Sequence, residues 1–508
     1  MLLIHPPVAK PCEPPAGIAC LAGALKANDI PFKVFDANVE ALRHLLNRPP
    51  ASIDFGQDTW TKRSFRNRLT HLSTIKNLGE YSSRSRYRRA VGDLDRVLEK
   101  IGEPWQVRMG LGNYQHRQLS PMRSTDLLRA AEQPEKDPFH AFYQTRLLEF
   151  LEEENPGWIG LSLNFLNQAV PAFALMGFLK ERIPRSRLIL GGGLVTSWMR
   201  SPAWQNPFGG LVDKMIAGPG ENPLLAVCGV HEKMRQHFLP EFHSLPFSDY
   251  LAPGFILPYG ATRGCYWNRC LFCPERAERN PYTAVSPERV ISDLSILVEK
   301  YHPVLVHLLD NAIPPAVLVQ IAEKPFGAPW YGFARVTPHL ADLDFCMRLR
   351  RSGCVMLQLG IESGDQGVLD YLEKGIDLAI ASQVLDNLRK AGIAAYVYLL
   401  FGTPPETLKE ARKTLAFTLQ HSKEISFLNL ALFNLPLHAP GVEDLPREKF
   451  SEGDLSLYTG FAHPQGWNRY AVRQFLDKEF KRHPVISAIL HRDPPVFTSN
   501  HAAFFGFH

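Results

Sequence analysis

Long apolar runs, a strong net charge and internal repeats are all missing from this sequence of 508 residues. No stretch approaches the about 20 apolar residues that a membrane-spanning helix requires, so we expect no membrane span. The formal net charge is only +5, which argues against nucleic acid as a partner. The first residues, Met-Leu-Leu-Ile-His-Pro-Pro, lack the charged start of a secretion signal, so we expect a cytoplasmic protein.

Regular cysteine pairing is missing as well. Five of the eight cysteines show no regular spacing, and without an export signal we interpret them as reduced thiols. These five are Cys12, Cys20, Cys228, Cys346 and Cys354. The other three, Cys265, Cys270 and Cys273, fall within nine residues and follow a short apolar run, Phe255 to Leu257, that is typical of a strand.

Three thiolates on one loop can hold a metal cluster, because sulfur is a soft ligand that suits zinc and iron–sulfur clusters. A structural zinc ion is closed by four protein ligands, and this loop contains no fourth cysteine or histidine. A cubane cluster held by three cysteines leaves one iron open to a substrate or cofactor. The alternative is three structural cysteines without a metal. The loop argues against it, because glycine, arginine and aromatic residues stand where a packed strand would have aliphatic ones.

The N-terminal half alternates strands with helices, which predicts a doubly wound, Rossmann- or flavodoxin-like α/β domain at residues 1–245. Ligands of such domains bind at the carboxyl ends of the parallel strands. An insertion at about residues 42–151 interrupts the pattern, and its stretch 62–89 carries nine Lys and Arg against Glu80 alone. We interpret these basic residues as a solvated surface, with a patch for an anionic partner as the alternative.

Five further strands alternate with helices after the cysteine loop and make six with the strand before it, and each strand ends in polar or glycine residues. This pattern predicts a partial (β/α)6 barrel at residues 246–438 with its active site at the carboxyl ends of the strands. The remaining residues, 439–508, form a short extension that we expect to cover the open side of the barrel.

The cysteine loop, with the aromatic Phe272 before its third cysteine, resembles the signature of the radical S-adenosylmethionine (SAM) enzymes. It departs from the usual pattern because four residues, not three, separate its first two cysteines. The resemblance implies that Cys265, Cys270 and Cys273 hold a [4Fe–4S] cluster whose open iron binds SAM. It also implies a 5′-deoxyadenosyl radical that removes hydrogen from a substrate carbon, and an electron donor such as flavodoxin or ferredoxin.

Motifs at the strand ends resemble those of radical SAM proteins linked to cobalamin. Gly-Ile-Glu-Ser-Gly at 360–364, followed by Lys374 and Gly375, is similar to the fourth-strand motif of that group. By this resemblance Arg335 is expected to pair with the methionine carboxylate, since a guanidinium suits that bidentate partner. The residues that the resemblance places beside SAM are Phe272, Asp310, Asn311, Arg335, Glu362, Ser363 and Gly402.

The N-terminal domain resembles the cobalamin-binding domain that precedes many radical SAM domains. The matching pieces lie at residues 15–18, 36–38, 162–164, 191–197 and 218–221. The residues expected beside a cobalamin are Ser162, Asn164, Gly191, Gly192, Gly193, Thr196, Gly218 and Glu221. The Asp-x-His-x-x-Gly signature is absent, so the resemblance implies no protein histidine below the cobalt.

These expectations together favour cobalamin-dependent methylation of an unactivated carbon in a small-molecule or peptide substrate. Two alternatives remain open. The same radical could drive cyclisation, oxidation or rearrangement without methyl transfer, or the cysteines could hold a metal that only stabilises the fold of a non-catalytic protein. The sequence names neither the substrate nor a catalytic residue.

Overall fold

The structure is a computed structural model that describes residues 1–49, 58–230, 237–440, 445–448, 453–494 and 498–505. The chain divides into two compact units, here called unit 1 and unit 2. Unit 1 is mainly Met1–Phe255, and unit 2 is mainly Ile256–Phe450 with Leu457–Pro494. The domain limits predicted above remain a prediction. Among the described residues, no helix is both long and apolar enough to cross a bilayer.

Unit 1 is built on a five-stranded parallel sheet in the order β2-β1-β5-β6-β7. This order is that of a flavodoxin-like doubly wound sheet, so the predicted α/β class is confirmed. The inner strands β1 and β5 are buried almost throughout, as parallel strands covered on both faces should be. The strands of unit 1 are β1 (Leu2–Ile4), β2 (Lys33–Phe35), β3 (Val107–Gly110), β4 (Asn113–His116), β5 (Trp158–Ser162), β6 (Arg187–Gly191) and β7 (Lys214–Met215).

Helices connect these strands, and two long ones form the insertion. The helices of unit 1 are α1 (Ala16–Lys26), α2 (Ala37–Asn47), α3 (Thr59–Lys76), α4 (Arg84–Gly102), α5 (Ser124–Glu132), α6 (His140–Phe142), α7 (Leu148–Glu154), α8 (Leu166–Arg182), α9 (Gly193–Arg200) and α10 (Glu221–Val227). The expected loop at 191–197 is therefore helical from Gly193 onward. The side chain of Ser83 caps the N-terminus of α4, whose apolar side is buried.

The basic stretch lies on α3 and α4, and several of its charges have local partners. Arg68 donates to the carbonyl oxygens of Leu46 and Phe65, at 2.8 Å each. Arg86 forms an ion pair with Glu80 at 2.8 Å. These contacts favour the interpretation of a locally stabilised surface over that of a patch for an anionic partner.

The proline-rich sequence of the segment 245–258 predicts an extended linker between the domains, but the structure has one turn of 3₁₀ helix there, at Phe247–Asp249. Tyr250 follows, 3% exposed, and its hydroxyl donates to the Asp36 carboxylate at 2.7 Å. Most of the segment therefore packs into unit 1, and the expectation of an extended linker is wrong for these residues.

Unit 2 contains a six-stranded parallel sheet in the order β15-β14-β13-β12-β11-β8, which confirms the predicted partial barrel. Its sheet strands are β8 (Ile256–Tyr259), β11 (Leu305–Leu308), β12 (Trp330–Ala334), β13 (Cys354–Glu362), β14 (Ala394–Phe401) and β15 (Ile425–Leu432). The short strands are β9 (Thr262–Arg263), β10 (Thr283–Ala284), β16 (Leu435–Pro436), β17 (Arg447–Glu448) and β18 (Tyr458–Phe461).

Helices follow the barrel strands and include one that packs against the edge strand. They are α11 (Pro274–Ala277), α12 (Pro287–Tyr301), α13 (Pro315–Glu323), α14 (Leu343–Arg351), α15 (Gln366–Tyr371), α16 (Leu378–Ala391), α17 (Leu408–Gln420), α18 (Arg469–Phe475), α19 (Pro484–Arg492) and α20 (Thr498–Ala503). Helix α19 contacts β15, and Arg492 donates to the carbonyl of Ile425 at 3.4 Å. The C-terminal part of the chain thus covers the edge of the barrel sheet.

Candidate functional site

The cysteine loop leaves the carboxyl end of β8 and ends at the first turn of α11. Gly264 has a φ of +72°, and a Cβ there would lie 2.9 Å from the carbonyl oxygen of Pro281, so glycine is required. Cys270 is buried, whereas Cys265 and Cys273 are half-buried. The backbone N–H of Cys273 donates to the carbonyl of Cys270 at 3.3 Å, which closes the second half of the loop.

The three thiols lie within electrostatic reach of one another. Burial raises the pKa of Cys273 to about 11, and charges on Cys270 and Cys265 act in the same direction. Within the described part of the chain, no three His, Cys, Asp or Glu side chains converge as ligands of one metal ion would. The cysteines of a cubane bind three different irons and need not converge on one point. The donor set therefore fits a three-cysteine cluster and does not fit a closed zinc site.

Two cations lie beside the buried thiol. Arg335, which follows β12 and is 9% exposed, places Nη1 4.0 Å from Sγ of Cys270 and donates from Nη2 to the carbonyl of Lys374. The Lys374 ammonium lies 2.8 Å from the Glu362 carboxylate. Burial raises the pKa of the Cys270 thiol, and the charges of Lys374 and Arg335 oppose that rise. Positive charge of this kind stabilises thiolates and an anionic cluster.

The extra residue between the first two cysteines belongs to a segment that packs through Trp267. The Arg335 guanidinium lies 4.3 Å from the Trp267 ring centroid, a cation–π contact, and Nε1 of Trp267 donates to the carbonyl of Glu373 at 2.9 Å. Gly375 has a φ of +64°, and a Cβ on it would meet the indole at 2.1 Å. The lengthened gap is therefore accommodated by one aromatic side chain against the segment 373–375.

Glu362 has an unusual backbone. Its φ of +68° places a non-glycine residue in the left-handed region at the end of β13, where the register with β14 also shifts. Such conformations persist where surrounding contacts enforce them, and they occur often at functional sites. The contact here is the ion pair between Glu362 and Lys374. The Glu362 side chain is 13% exposed and the Lys374 side chain is 9% exposed.

Other predicted SAM residues already have partners within the barrel. The Asp310 carboxylate is 2% exposed and accepts from the N–H of Ala261 at 3.3 Å and from the hydroxyl of Thr262. The Asn311 amide donates to the carbonyl of Gly264 at 3.3 Å. Both side chains therefore hold the start of the cysteine loop. Their expected contact with the methionine amino group stays a prediction.

Ser363 is fully buried, and its hydroxyl lies 3.2 Å from that of Thr414 on α17. It therefore faces α17. The expected contacts of Ser363, Phe272 and Gly402 with SAM stay a prediction. The Phe272 ring is 5.3 Å from the Lys374 ammonium, and Gly402, with a φ of +83°, donates its N–H to Glu406.

In unit 1 the residues expected beside cobalamin meet at the carboxyl ends of β5, β6 and β7. The Asn164 amide donates to the Ser162 hydroxyl at 3.1 Å and accepts from the N–H of Gly193 at 2.9 Å. The Thr196 hydroxyl accepts from the N–H of Gly218 at 2.9 Å. Gly192 has a φ of +112°, and a Cβ there would lie 2.4 Å from the carbonyl oxygen of Leu163.

This edge of unit 1 is a backbone cradle without side-chain bulk. Gly193 is exposed, Gly191, Gly192 and Gly218 are half-buried, and Glu221 is buried in the first turn of α10. Exposed glycine backbone next to half-buried amide and hydroxyl groups can approach a large flat ligand closely. The residues present therefore fit a corrinoid.

Sequence reasoning assigned no role to two contributors to the barrel site, Lys374 and Trp267. The signal for Lys374 was its place in the Lys-Gly pair after the fourth-strand motif. The signal for Trp267 was its position in the lengthened cysteine gap. Glu406, which is fully buried, accepts from Nε1 of Trp467 at 3.0 Å, a contact between residues 61 positions apart that no local pattern reveals.

Comparison with known proteins agrees with this geometry. The Radical SAM superfamily matches residues 259–418. An uncharacterized methyltransferase of Pyrococcus horikoshii is 27% identical over 213 residues, which are 40% of this chain and 44% of that protein. An anaerobic magnesium-protoporphyrin IX monomethyl ester cyclase of Rubrivivax gelatinosus is 24% identical over 160 residues, 30% of this chain and 28% of the cyclase. The matches thus span less than half the length of these relatives.

Among solved structures, the radical SAM methyltransferase TsrM from Kitasatospora setae, with tryptophan substrate and a SAM analogue bound, has a TM-score of 0.54 and 13% identity. That match covers 98% of this chain and 89% of TsrM. A second TsrM structure, with cobalamin and a [4Fe–4S] cluster bound, has a TM-score of 0.50 and 14% identity and covers 87% of this chain and 77% of TsrM. At this identity the likeness shows a shared fold. The match to the Radical SAM superfamily, residues 259–418, contains all three cysteines of the loop.

Proposed function

We propose that this chain is a cobalamin-dependent radical SAM methyltransferase that modifies an unactivated carbon. The carrying observation is the loop of Cys265, Cys270 and Cys273 at the carboxyl end of the barrel, with the buried cations Arg335 and Lys374 beside it. When bound, a [4Fe–4S] cluster with SAM supplies a radical that removes hydrogen from carbon, and cobalamin supplies a transferable methyl group.

The protein's part in this chemistry is to hold and orient. The three cysteines would hold the cluster and leave one iron to SAM. Arg335 fixes the position of Cys270 and, with Lys374, offsets the negative charge of the thiolates. Trp267 covers the guanidinium of Arg335 and limits the access of water to it. An external one-electron donor, such as flavodoxin or ferredoxin, would reduce the cluster.

Support for the cobalamin part comes from unit 1. Its strand order is that of a doubly wound nucleotide-binding sheet, and its glycine and amide residues gather at the carboxyl edge where such sheets bind ligands. The fold shared with TsrM, which was solved with cobalamin bound, supports the same proposal. The similarity to a methyltransferase of Pyrococcus horikoshii supports methyl transfer.

The cluster assignment is tested by Cys270→Ala in anaerobically purified, reconstituted protein. We expect the wild-type chain to contain about four iron and four sulfide and to form 5′-deoxyadenosine from SAM with a reductant. We expect the variant to lose that product, because one of three ligands is gone. Cys228→Ala is the matched control, a half-buried thiol in unit 1 outside the loop. Product formation by Cys270→Ala at the wild-type rate would contradict the assignment.

The cobalamin assignment is tested by the absorption spectrum of protein purified after growth with hydroxocobalamin. A corrinoid spectrum that persists through gel filtration is expected. A chain that forms 5′-deoxyadenosine yet never retains corrinoid would favour a second function, radical cyclisation, oxidation or rearrangement without methyl transfer. The similarity to the cyclase of Rubrivivax gelatinosus is the observation that favours that second function.

A further inference from the structure

The concave face of the barrel sheet carries aromatic and amide side chains. Alternate residues face this side along β12, and the alternation ends in Arg335, whose side chain reaches Cys270. Phe333 precedes Arg335 on the same face and pairs in register with Gln358 of β13.

This concave face is partly open. Phe333, Tyr398 and Asn429 are half-exposed, although Phe333 and Tyr398 lie on interior strands of the sheet. The opposite face of these strands is buried, so the exposure of these side chains is to the interior of the barrel. The Phe333 and Tyr398 rings lie 4.9 Å apart between centroids and form an aromatic wall within that interior.

Gln358 and Tyr398 form a hydrogen bond on this wall, and each keeps one polar group that this bond does not use. The Gln358 amide donates from Nε2 to the Tyr398 hydroxyl oxygen at 2.9 Å. The Tyr398 oxygen accepts this bond, so its own proton points away from the Gln358 donor and can be donated elsewhere.

The second group is Oε1 of Gln358. The residue is fully buried, and among the described residues this oxygen has no hydrogen-bond partner. A buried amide oxygen without a partner is rare in folded proteins and calls for a ligand or water that completes it. Because Gln358 is hydrogen-bonded to Tyr398, the acceptor Oε1 of Gln358 and the hydroxyl donor of Tyr398 are neighbours on one wall.

The distance from this wall to the cysteine loop matches the size of one ring. Phe333 precedes Arg335 by two residues, which corresponds to roughly 7 Å along a strand. A six-membered ring that binds Gln358 and Tyr398 with one edge would present its opposite edge toward the thiol that Arg335 contacts.

The charge of the wall restricts the ligand further. Phe333, Gln358, Tyr396, Tyr398 and Asn429 are all uncharged at neutral pH, and the ions near them are already paired: Glu362 with Lys374 at the strand ends, and Asp493 with His501 beside Tyr396. An ionic ligand against this wall would lose its hydration without gaining a counter-charge. A neutral ring would instead gain aromatic contacts with Phe333 and Tyr398.

We propose that Gln358 and Tyr398 are the substrate-recognition pair of this protein. They bind a neutral, planar ring whose edge carries an N–H donor and a C=O acceptor side by side, as in a lactam. Gln358 accepts from the N–H, and Tyr398 donates to the carbonyl. The inference names the substrate class for the function proposed above, and it rests on that function for the reaction but not for binding.

The test uses 2-pyridone as the probe and the full chain with its reconstituted cluster, observed by saturation-transfer NMR. N-Methyl-2-pyridone, which lacks the N–H, is the matched probe. We expect 2-pyridone to bind the wild-type chain at least tenfold more tightly than its N-methyl analogue. We expect Gln358→Met and Tyr398→Phe each to weaken the binding of 2-pyridone at least tenfold. Gln383→Met, which removes an amide on the exposed side of α16, should leave binding unchanged.

Failure of this inference differs from failure of the proposed function. Formation of 5′-deoxyadenosine without substrate is measured in the same preparations and should be equal in wild type and Gln383→Met. Wild-type protein that binds 2-pyridone but forms no 5′-deoxyadenosine would sink the proposed function and leave the recognition pair standing. Equal 2-pyridone binding by all variants, or none by the wild-type chain, would overturn the pair.

Discussion

The guanidinium of Arg335 lies 4.0 Å from the sulfur of Cys270 and 4.3 Å from the centroid of the Trp267 ring. One side chain on β12's carboxyl end thereby joins two parts of the cysteine loop, its second thiol and its lengthened gap. Both contacts depend on a planar cation that can stack and donate at once, which a lysine ammonium cannot do. The position of the second thiol of the loop is therefore tied to the barrel sheet itself.

Arg335→Gln should make the cluster harder to reduce. The positive charge beside Cys270 stabilises the more negative, reduced state, so its removal should lower the reduction potential. We expect a decrease of roughly 60 mV, which corresponds to about 1.4 kcal/mol for one electron. The measurement is a redox titration of the reconstituted cluster followed by electron paramagnetic resonance.

Arg269→Gln is the matched control for that titration. Its guanidinium lies 5.2 Å from the same indole ring, yet the residue is exposed, so solvent screens its charge. The reduction potential of the cluster in Arg269→Gln should stay near that of the wild type. An equal decrease in both variants would show that the potential follows the net charge of the loop and not the contact between Arg335 and Cys270.

Glu362 should tolerate glycine better than alanine. Both changes remove the carboxylate and leave the Lys374 ammonium buried and unpaired, which costs about 3–5 kcal/mol. At a φ of +68° alanine keeps the backbone strain that glycine relieves. The free energy of unfolding of Glu362→Ala should therefore be about 1 kcal/mol lower than that of Glu362→Gly. Urea unfolding of the two variants measures the difference.

Exposed Glu288 in the first turn of α12 gives the reversed comparison. There the backbone is helical, and Glu288→Ala should be more stable than Glu288→Gly by up to about 1 kcal/mol. The same order of stability at both positions would contradict the assignment of backbone strain to Glu362.

Much of the fold could be predicted from the sequence, because alternating apolar strands and amphipathic helices are local signals. The apolar run at 393–401 predicts a strand, which is found at Ala394–Phe401, and Ser286-Pro287 predicts the start of a helix, which is that of α12. The cysteine loop was equally accessible, since three thiols in nine residues are a pattern in the chain itself.

The rest could not be predicted, because it depends on contacts between distant positions. Ser363 belongs to the predicted motif, yet the packing of α17 places Thr414 against its hydroxyl. The pairing of Gln358 with Tyr398 joins residues 40 positions apart on neighbouring strands. Registers of parallel strands set such pairs, and a register is fixed by the whole sheet, not by the local sequence.

Gly192→Ala should abolish retention of a corrinoid. At a φ of +112° a Cβ would lie 2.4 Å from the Leu163 carbonyl oxygen, so the turn after β6 has to move. That turn positions the N–H of Gly193, which donates to the Asn164 side chain. The substitution would therefore break this hydrogen bond at the proposed corrinoid site. The measurement is the ratio of corrinoid absorbance to protein after gel filtration.

Gly157→Ala is the control for the cradle, since a Cβ there meets nothing within 4 Å. It should retain corrinoid at the wild-type ratio. Full retention by Gly192→Ala would place the corrinoid elsewhere and would contradict the assignment of this edge.

Because of the buried carboxyl group of Glu406, the free energy of unfolding should fall as the pH rises. Burial raises the pKa of its carboxyl group from 4.5 to about 7, against the opposing hydrogen bonds from Gly402 and Trp467. Below about pH 4.5 the group is protonated in both the folded and the unfolded chain. Between about pH 4.5 and 7 the unfolded chain releases the proton that the folded chain keeps, so the free energy of unfolding falls, by roughly 3 kcal/mol in total.

Glu406→Gln isolates this contribution, because the amide has the same shape and does not titrate. Asp36 and Asp137, whose pKa values burial raises to about 6 and about 7, give a slope of the same sign in both proteins. The difference between wild type and variant in urea unfolding at pH 5 and at pH 7.5 is therefore the quantity to measure. We expect the variant to lose less stability over this range than the wild type. Identical losses would mean that Glu406 ionises in the folded protein as it does in water, and that its buried contacts with Gly402 and Trp467 are made by the carboxylate.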